Sequence, residues 1–184
     1  MKTTLLVGWI VLSMALAAIT VSAASIELWP SNDLVEDWSN VSCPSNAEWA
    51  CVHAESGIDD TRYIRMGNDD KKETFYLGDF PLNFSGIIDS VSVRYRAKWY
   101  DSSDYKITDL IETHGTQYEG FVTALNGSFV NESTLWLKNP FTNANWTIGE
   151  INSLHFGVST DDGSNVTLNG GGMVSSLSVK IFYH

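Results

Sequence analysis

Cations are scarce in this chain. It carries 11 Lys plus Arg against 22 Asp plus Glu, a formal net charge of −11. Phosphate recognition needs a basic footprint, so nucleic acid and anionic membrane surfaces are excluded as partners. The acidity is read as a source of solubility. Cysteine is scarcer still. Cys43 and Cys51 are the only two, too few for a structural zinc site without histidines at ligand spacing. His53, His114, His155 and His184 are scattered instead. Catalytic signatures are missing as well. There is no G-x-S-x-G, no H-E-x-x-H and no phosphate loop, and no Asp or Glu sits in a recognisable motif. The expected reading is a protein that is not an enzyme and needs no cofactor, with calcium as the one cation left open.

Long apolar runs are absent too, with one exception at the start. Lys2 precedes an apolar stretch from Leu5 to Ala18, and Val21-Ser22-Ala23 supplies a small-residue cleavage site. That is the pattern of a secretory leader over residues 1–23, followed by a single domain over 24–184. A retained anchor is the alternative, since the stretch can span a bilayer, which takes roughly 20 residues; a membrane enters the partner list only in that case. In an oxidising compartment Cys43 and Cys51 pair, closing a short loop that contributes about 2–3 kcal/mol.

What the chain has in excess is the N-x-S/T sequon. Asn40, Asn83, Asn126, Asn131, Asn145 and Asn165 each begin one, where composition alone predicts about two or three. N-glycans must sit on the surface, which fits a secreted or cell-surface protein.

No long helical period, internal repeat or low-complexity tract appears beyond NGGG at 169–172. Short alternating runs separated by Gly, Asn, Asp and Ser follow one another: 25–29, 47–54, 61–66, 73–80, 91–100, 105–114, 116–125, 133–138, 154–160 and 173–184. About ten strands at this spacing predict an all-β fold, an antiparallel β-sandwich. One short helical turn is expected near 145–154, where Thr147 can cap and Glu150 stands three residues on. The clearest strand is VSVRYRAKWY. Val91, Val93, Tyr95, Ala97 and Trp99 should face a core, and Arg94, Arg96 and Lys98 an outer face where neighbouring carboxylates pair them.

Several residues invite a functional reading. Trp38, Trp99 and Tyr100 are candidates for stacking on sugar rings, because aromatic faces are flat and apolar. Asp59 and Asp60 are first choice for a weak calcium site, which needs six to eight oxygens; turn chemistry is their plainer role. Asp69-Asp70 and Asp161-Asp162 stand in similar turns. Gly157 within HFGVS implies a close backbone approach or a bulge. The terminal runs, Ser25, Ile26, Leu28 and Trp29 at one end and Leu177, Val179 and Ile181 at the other, could be lent to a neighbour's sheet edge.

WACVHAESGIDDTRYI (49–64), IIDSVSVRYRAKW (87–99), GTQYEGF (115–121) and WLKNPFTNANWTIGEINSLHFGV (136–158) stand in this order. Together they resemble a jelly-roll-like β-sandwich module of phage structural proteins and of secreted bacterial and archaeal surface proteins. The resemblance spans most of residues 47 to 183. Cys43 and the number of sequons depart from that pattern. The resemblance implies a structural or binding module with no firm activity attached. Two functions are therefore expected. The first is a secreted, N-glycosylated structural or adhesive surface protein. It would self-associate or join other surface proteins, as a filament or layer subunit, by exchange of terminal strands. The alternative is a carbohydrate-binding module with exposed aromatics, partnered by polysaccharide and perhaps holding calcium.

Overall fold

The computed structural model describes residues 23–184 apart from 37, 44–46, 56, 66–71, 82, 100–105 and 162–171. Residues 1–22 of the expected leader, Asp69, Asp70, Tyr100, Asp162 and Asn165 therefore lie outside the described residues. Among those described, no helix is long and apolar enough to cross a membrane.

The alternating runs fold as an antiparallel sandwich of two sheets. The strands are β1 (Ala24–Leu28), β2 (Pro30–Glu36), β3 (Ser39–Val41), β4 (Tyr63–Arg65), β5 (Lys72–Leu77), β6 (Ile88–Trp99), β7 (Lys106–Thr113), β8 (Thr116–Ala124), β9 (Val130–Trp136), β10 (His155–Asp161) and β11 (Gly172–Tyr183). A six-stranded sheet runs β3-β4-β11-β6-β9, with β1 also paired to β11. The five-stranded sheet runs β2-β5-β10-β7-β8. Two short helices, α1 (Trp49–Val52) and α2 (Ile148–Asn152), close the gaps.

Period-two alternation builds the core. On β6 the residues Val91, Val93, Tyr95, Ala97 and Trp99 are all buried. They pair with β11 in the register Val91↔Ile181, Val93↔Val179 and Tyr95↔Leu177. Phe75, Ile107, Ile111, Phe156 and Val158 join the same core from the five-stranded sheet. Each such aliphatic side chain contributes about 1.5–3 kcal/mol by leaving water. The expected cap of α2 is present as a full capping box: Glu150 N–H donates to Thr147 Oγ1 at 3.2 Å and Thr147 N–H to Glu150 Oε2 at 2.8 Å. The β7–β8 hairpin turns on His114 (φ 55°) and Gly115 (φ 71°), a pair of positive φ values that matches the strands' twist. Gly157 is the close approach its setting implied, because any Cβ there would collide with the Glu73 carbonyl oxygen.

Two expectations are corrected. Residues 47–54 are not a strand: α1 occupies them, since the Trp49 N–H is drawn 2.6 Å from Asp33 Oδ1 and Cys51 is tied to Cys43 across a Cα–Cα distance of 5.0 Å. Second, β2 and β3 occupy 30–41, a polar stretch in which no strand was expected. The terminal runs pair within this chain. Ser25, Ile26 and Leu28 pair with Phe182, Ile181 and Val179 of the same chain. Strand β11, bearing Leu177, Val179 and Ile181, is flanked by β6 on one side and by β1 and β4 on the other.

Candidate functional site

The outer face of the six-stranded sheet carries the cations of β6. Arg94 and Arg96 are paired with carboxylates, as expected. Arg94 Nη1 donates to Glu27 Oε1 at 3.0 Å, and Ser178 Oγ donates to the same oxygen at 2.6 Å. Arg96 grips Asp60 with both arms, Nε to Oδ1 at 2.8 Å and Nη2 to Oδ2 at 2.6 Å, while Ser175 Oγ adds a third bond at 2.8 Å. Lys98 Nζ lies 4.6 Å from the centre of the Phe129 ring. These contacts, with the Arg96 hydrogen bonds foremost, hold the Asp60 carboxyl below its ordinary value. The Asp59 carboxyl is also lowered, mainly by the Thr61 hydroxyl and then its N–H. Arg62 Nε sits 3.0 Å from Asp59 Oδ2. The two carboxylates proposed for calcium are thus turned toward different cationic side chains. Among the described residues no group of three or more His, Cys, Asp or Glu gathers as a metal site.

Two stacking candidates are removed by burial. Trp38 is 5% exposed and Trp99 1%. Strand alternation points Trp99 inward, and Gly172, its register partner, leaves room for both indoles: a Cβ there would lie 3.3 Å from Trp99 and 3.6 Å from Trp38. The Trp38 N–H is fixed to Glu73 Oε2 at 3.0 Å. Neither ring can present a face to a ligand. Trp146 packs inward, its Nε1 donating to the Trp136 carbonyl at 3.0 Å.

Tyr76, Phe121 and Phe141 are the exposed aromatics among the described residues, while Trp29, Trp49 and His53, each half-buried, gather at one corner. Trp29 sits where the chain leaves one sheet for the other, between the end of β1 and Pro30 at the start of β2. The Gly78 N–H donates to its carbonyl at 3.0 Å and fixes that corner. Trp49 opens α1 and His53 closes it, one turn apart and so on one side. The His53 ring is 5.9 Å from Trp29 and 5.8 Å from Trp49, tilted to the first and edge-on to the second. Its Nδ1 is 3.0 Å from the Pro30 carbonyl oxygen. A carbonyl only accepts, so Nδ1 bears the proton. Nε2 faces Glu55 Oε2 at 3.3 Å.

Together these rings line an open cleft of about 330 Å³, with Glu27, Ser31, Glu55 and Asp79 among its polar groups. Glu55 and Asp79 are exposed. Chemically, the cleft offers flat apolar faces beside hydrogen-bond acceptors, which suits a ring with an apolar face and a hydroxylated rim. A second groove of about 190 Å³ crosses the five-stranded sheet. It is lined by Lys72, Lys106, Glu119, Val122 and neighbouring hydroxyls, with no aromatic ring.

Of the aromatics expected at the surface, the fold buries Trp38 and Trp99, and it places Trp29, of the terminal run, at a corner between the sheets. One signal was available: Trp29 precedes Pro30, and a residue before proline is held extended while proline itself withholds a ladder donor. That combination suits a strand changing sheets. The sequons are placed as follows. Asn83, Asn126, Asn131 and Asn145 are exposed. Asn40 lies in β3.

No family model matches the sequence, and no curated protein matches it. Among solved structures, the chain is similar to the C-terminal CBM6 module of the laminarinase LamC from Zobellia galactanivorans. That match has 12% identity and a TM-score of 0.46, covering 86% of this chain and 98% of that one. A family 29 carbohydrate-binding module gives 13% identity and a TM-score of 0.41 over 87% of this chain and 90% of that one. The CBM22-1 xylan-binding domain of Paenibacillus barcinonensis Xyn10C gives 7% and 0.43 over 85% and 92%. At these values the likeness is one of β-sandwich layout. The attribution to phage and surface proteins finds no counterpart among these three.

Proposed function

We propose that this is a secreted, N-glycosylated sugar-binding module without catalytic activity, and that Trp29, Trp49 and His53 form its binding cleft. One observation supports the reading above the others: two half-buried indoles flank one imidazole in an open cleft whose rim carries exposed carboxylates. An indole face complements the C–H face of a pyranose, and carboxylates such as Glu55 and Asp79 accept from its hydroxyls. The same carboxylates, on a chain of net charge −11, repel uronates and sulfated glycans. The expected ligand is therefore a neutral polysaccharide. The disulfide supports export to an oxidising compartment. The four exposed sequons are the proposed glycan sites among the described residues.

Affinity electrophoresis and titration calorimetry against neutral glucans, xylans and mannans test this. The wild type should be retarded by at least one of them and by no uronate polymer. Trp29→Ala should weaken binding at least tenfold with an unchanged far-UV spectrum. Failure of every neutral polysaccharide to bind, or full affinity in Trp29→Ala, would overturn the proposal.

A further inference from the structure

At the far edge of the sandwich three strands are joined by one chain of donors. The Phe121 N–H donates to Thr134 Oγ1 at 3.0 Å, and Thr134 Oγ1 donates to Asp109 Oδ1 at 2.6 Å. These residues belong to β8, β9 and β7, so the chain ties the edge strand of one sheet to the edge strand of the other. Asp109 is fully buried, and its Oδ2 has no hydrogen-bond partner among the described residues. Gly120 makes the packing possible, because any Cβ there would collide with both Asp109 oxygens and the Thr134 hydroxyl. The β7–β8 register slips at this point, between Thr108 and Leu110. Strand β8 is otherwise half-buried or exposed along its whole length. Its other described side-chain tie to the opposite sheet is Tyr95 Oη donating to Thr123 Oγ1 at 3.0 Å.

The groups around the carboxyl do not neutralise it. Strand β10 places Val158 beside it in register. Strand β6 offers Tyr95, whose phenol burial pushes up to about 12, so it stays neutral. Strand β9 offers Thr134, with Glu132 two residues before it, and β8 offers Gly120 preceded by Tyr118 and Glu119. None of these is a cation. Burial raises the Asp109 carboxyl from 3.8 to about 6, opposed only in part by the hydrogen bonds from Thr134 and from its own amide.

We propose that Asp109 is a proton-operated clasp: with its carboxyl neutral, β8 is held firmly against the β9 edge, and ionisation loosens β8. The neutral acid leaves no buried charge and keeps an acceptor for Thr134. The ionised acid buries a negative charge with no cation against it. The folded protein therefore binds the proton more tightly than the unfolded chain does. The stabilisation is complete below about pH 4 and is lost as pH rises toward about 6, after which it is flat.

Hydrogen exchange of the β8 amides tests the clasp in the intact protein. Protection factors are corrected for the intrinsic pH dependence of exchange and referred to the β11 amides. Relative to β11, the Phe121 region should be about tenfold or more better protected at pH 4.5 than at pH 7.5. D109N, which cannot ionise, should abolish that difference. A difference that persists in D109N overturns the proposal, as does a wild-type β8 whose relative protection ignores pH. If D109N does not fold, the carboxyl carbon shift of Asp109 in the wild type decides. A midpoint near 6 accompanied by β8 amide shifts sustains the clasp, and a midpoint near 4 sinks it.

Discussion

Asp60 and Asp109 each accept a hydrogen bond from a neighbouring hydroxyl, yet they respond to their surroundings in opposite senses. Asp60 lies on the outer face of the six-stranded sheet, where Arg96 and Ser175 supply three donors and lower its carboxyl. Asp109 lies between the sheets with one side-chain donor, Thr134, and its own amide, and desolvation raises it. A carboxylate on this scaffold is favoured where a guanidinium and water share it, and disfavoured where no cation or water reaches it. The two sites also differ in what they hold: Asp60 ties a loop to the most embedded strand, β11, and Asp109 ties down the loosest one, β8.

The comparison can be broken hardest at Thr134. Thr134→Val keeps the shape but removes the acceptor for Phe121 N–H and the one side-chain donor to Asp109. A loss of about 2–3 kcal/mol is expected in urea unfolding, since the buried carboxyl loses its side-chain donor and the part-buried Phe121 N–H its acceptor. The opposite pole is tested by Arg96→Ala, which strips two bonds from Asp60. That pair is partly exposed and screened, so about 1–2 kcal/mol is expected, shrinking in high salt. A pH series of thermal melts then separates the two acids. Asp60, with a lowered carboxyl, contributes stability that is present above about pH 4 and lost as pH falls below it. Asp109 contributes stability that is lost as pH rises from about 4 to about 6. The combined contribution of the pair should peak near pH 4. Arg96→Ala should flatten the acid limb alone, and D109N the upper limb alone. The smallest effect is expected at a site remote from both. Thr147→Ala removes the capping box of α2 and should cost about 1 kcal/mol with no change in either limb.

The same contrast explains what could be read from the chain. VSVRYRAKWY was legible because alternation of apolar and cationic residues has one solution in a sandwich: Val93 and Tyr95 inside, Arg94 outside. Thr147 and Glu150 were legible because a capping box is a local interaction. Asp60 was seen as a turn residue, but its partner Arg96 is 36 positions away and nothing local announces it. Asp109 looked like any polar residue of a β-strand; its burial depends on Thr134 and Gly120, two other strands' contributions. The cleft was illegible for a related reason. Trp29 and Trp49 come together only because β1 and β2 belong to different sheets and the Cys43–Cys51 bridge holds α1 beside the corner. Trp38 and Trp99 carried the same residue type with no sign of the space that Gly172 opens for them.

Strand β1 sets Ala24 opposite Tyr183, so the first and last strands of the fold finish side by side. Trp29 stands one strand away from that pair, about 17 Å at the usual rise. A reporter joined just ahead of Ala24 or just behind Tyr183 would therefore emerge from one pole while the indole corner stays clear at the other.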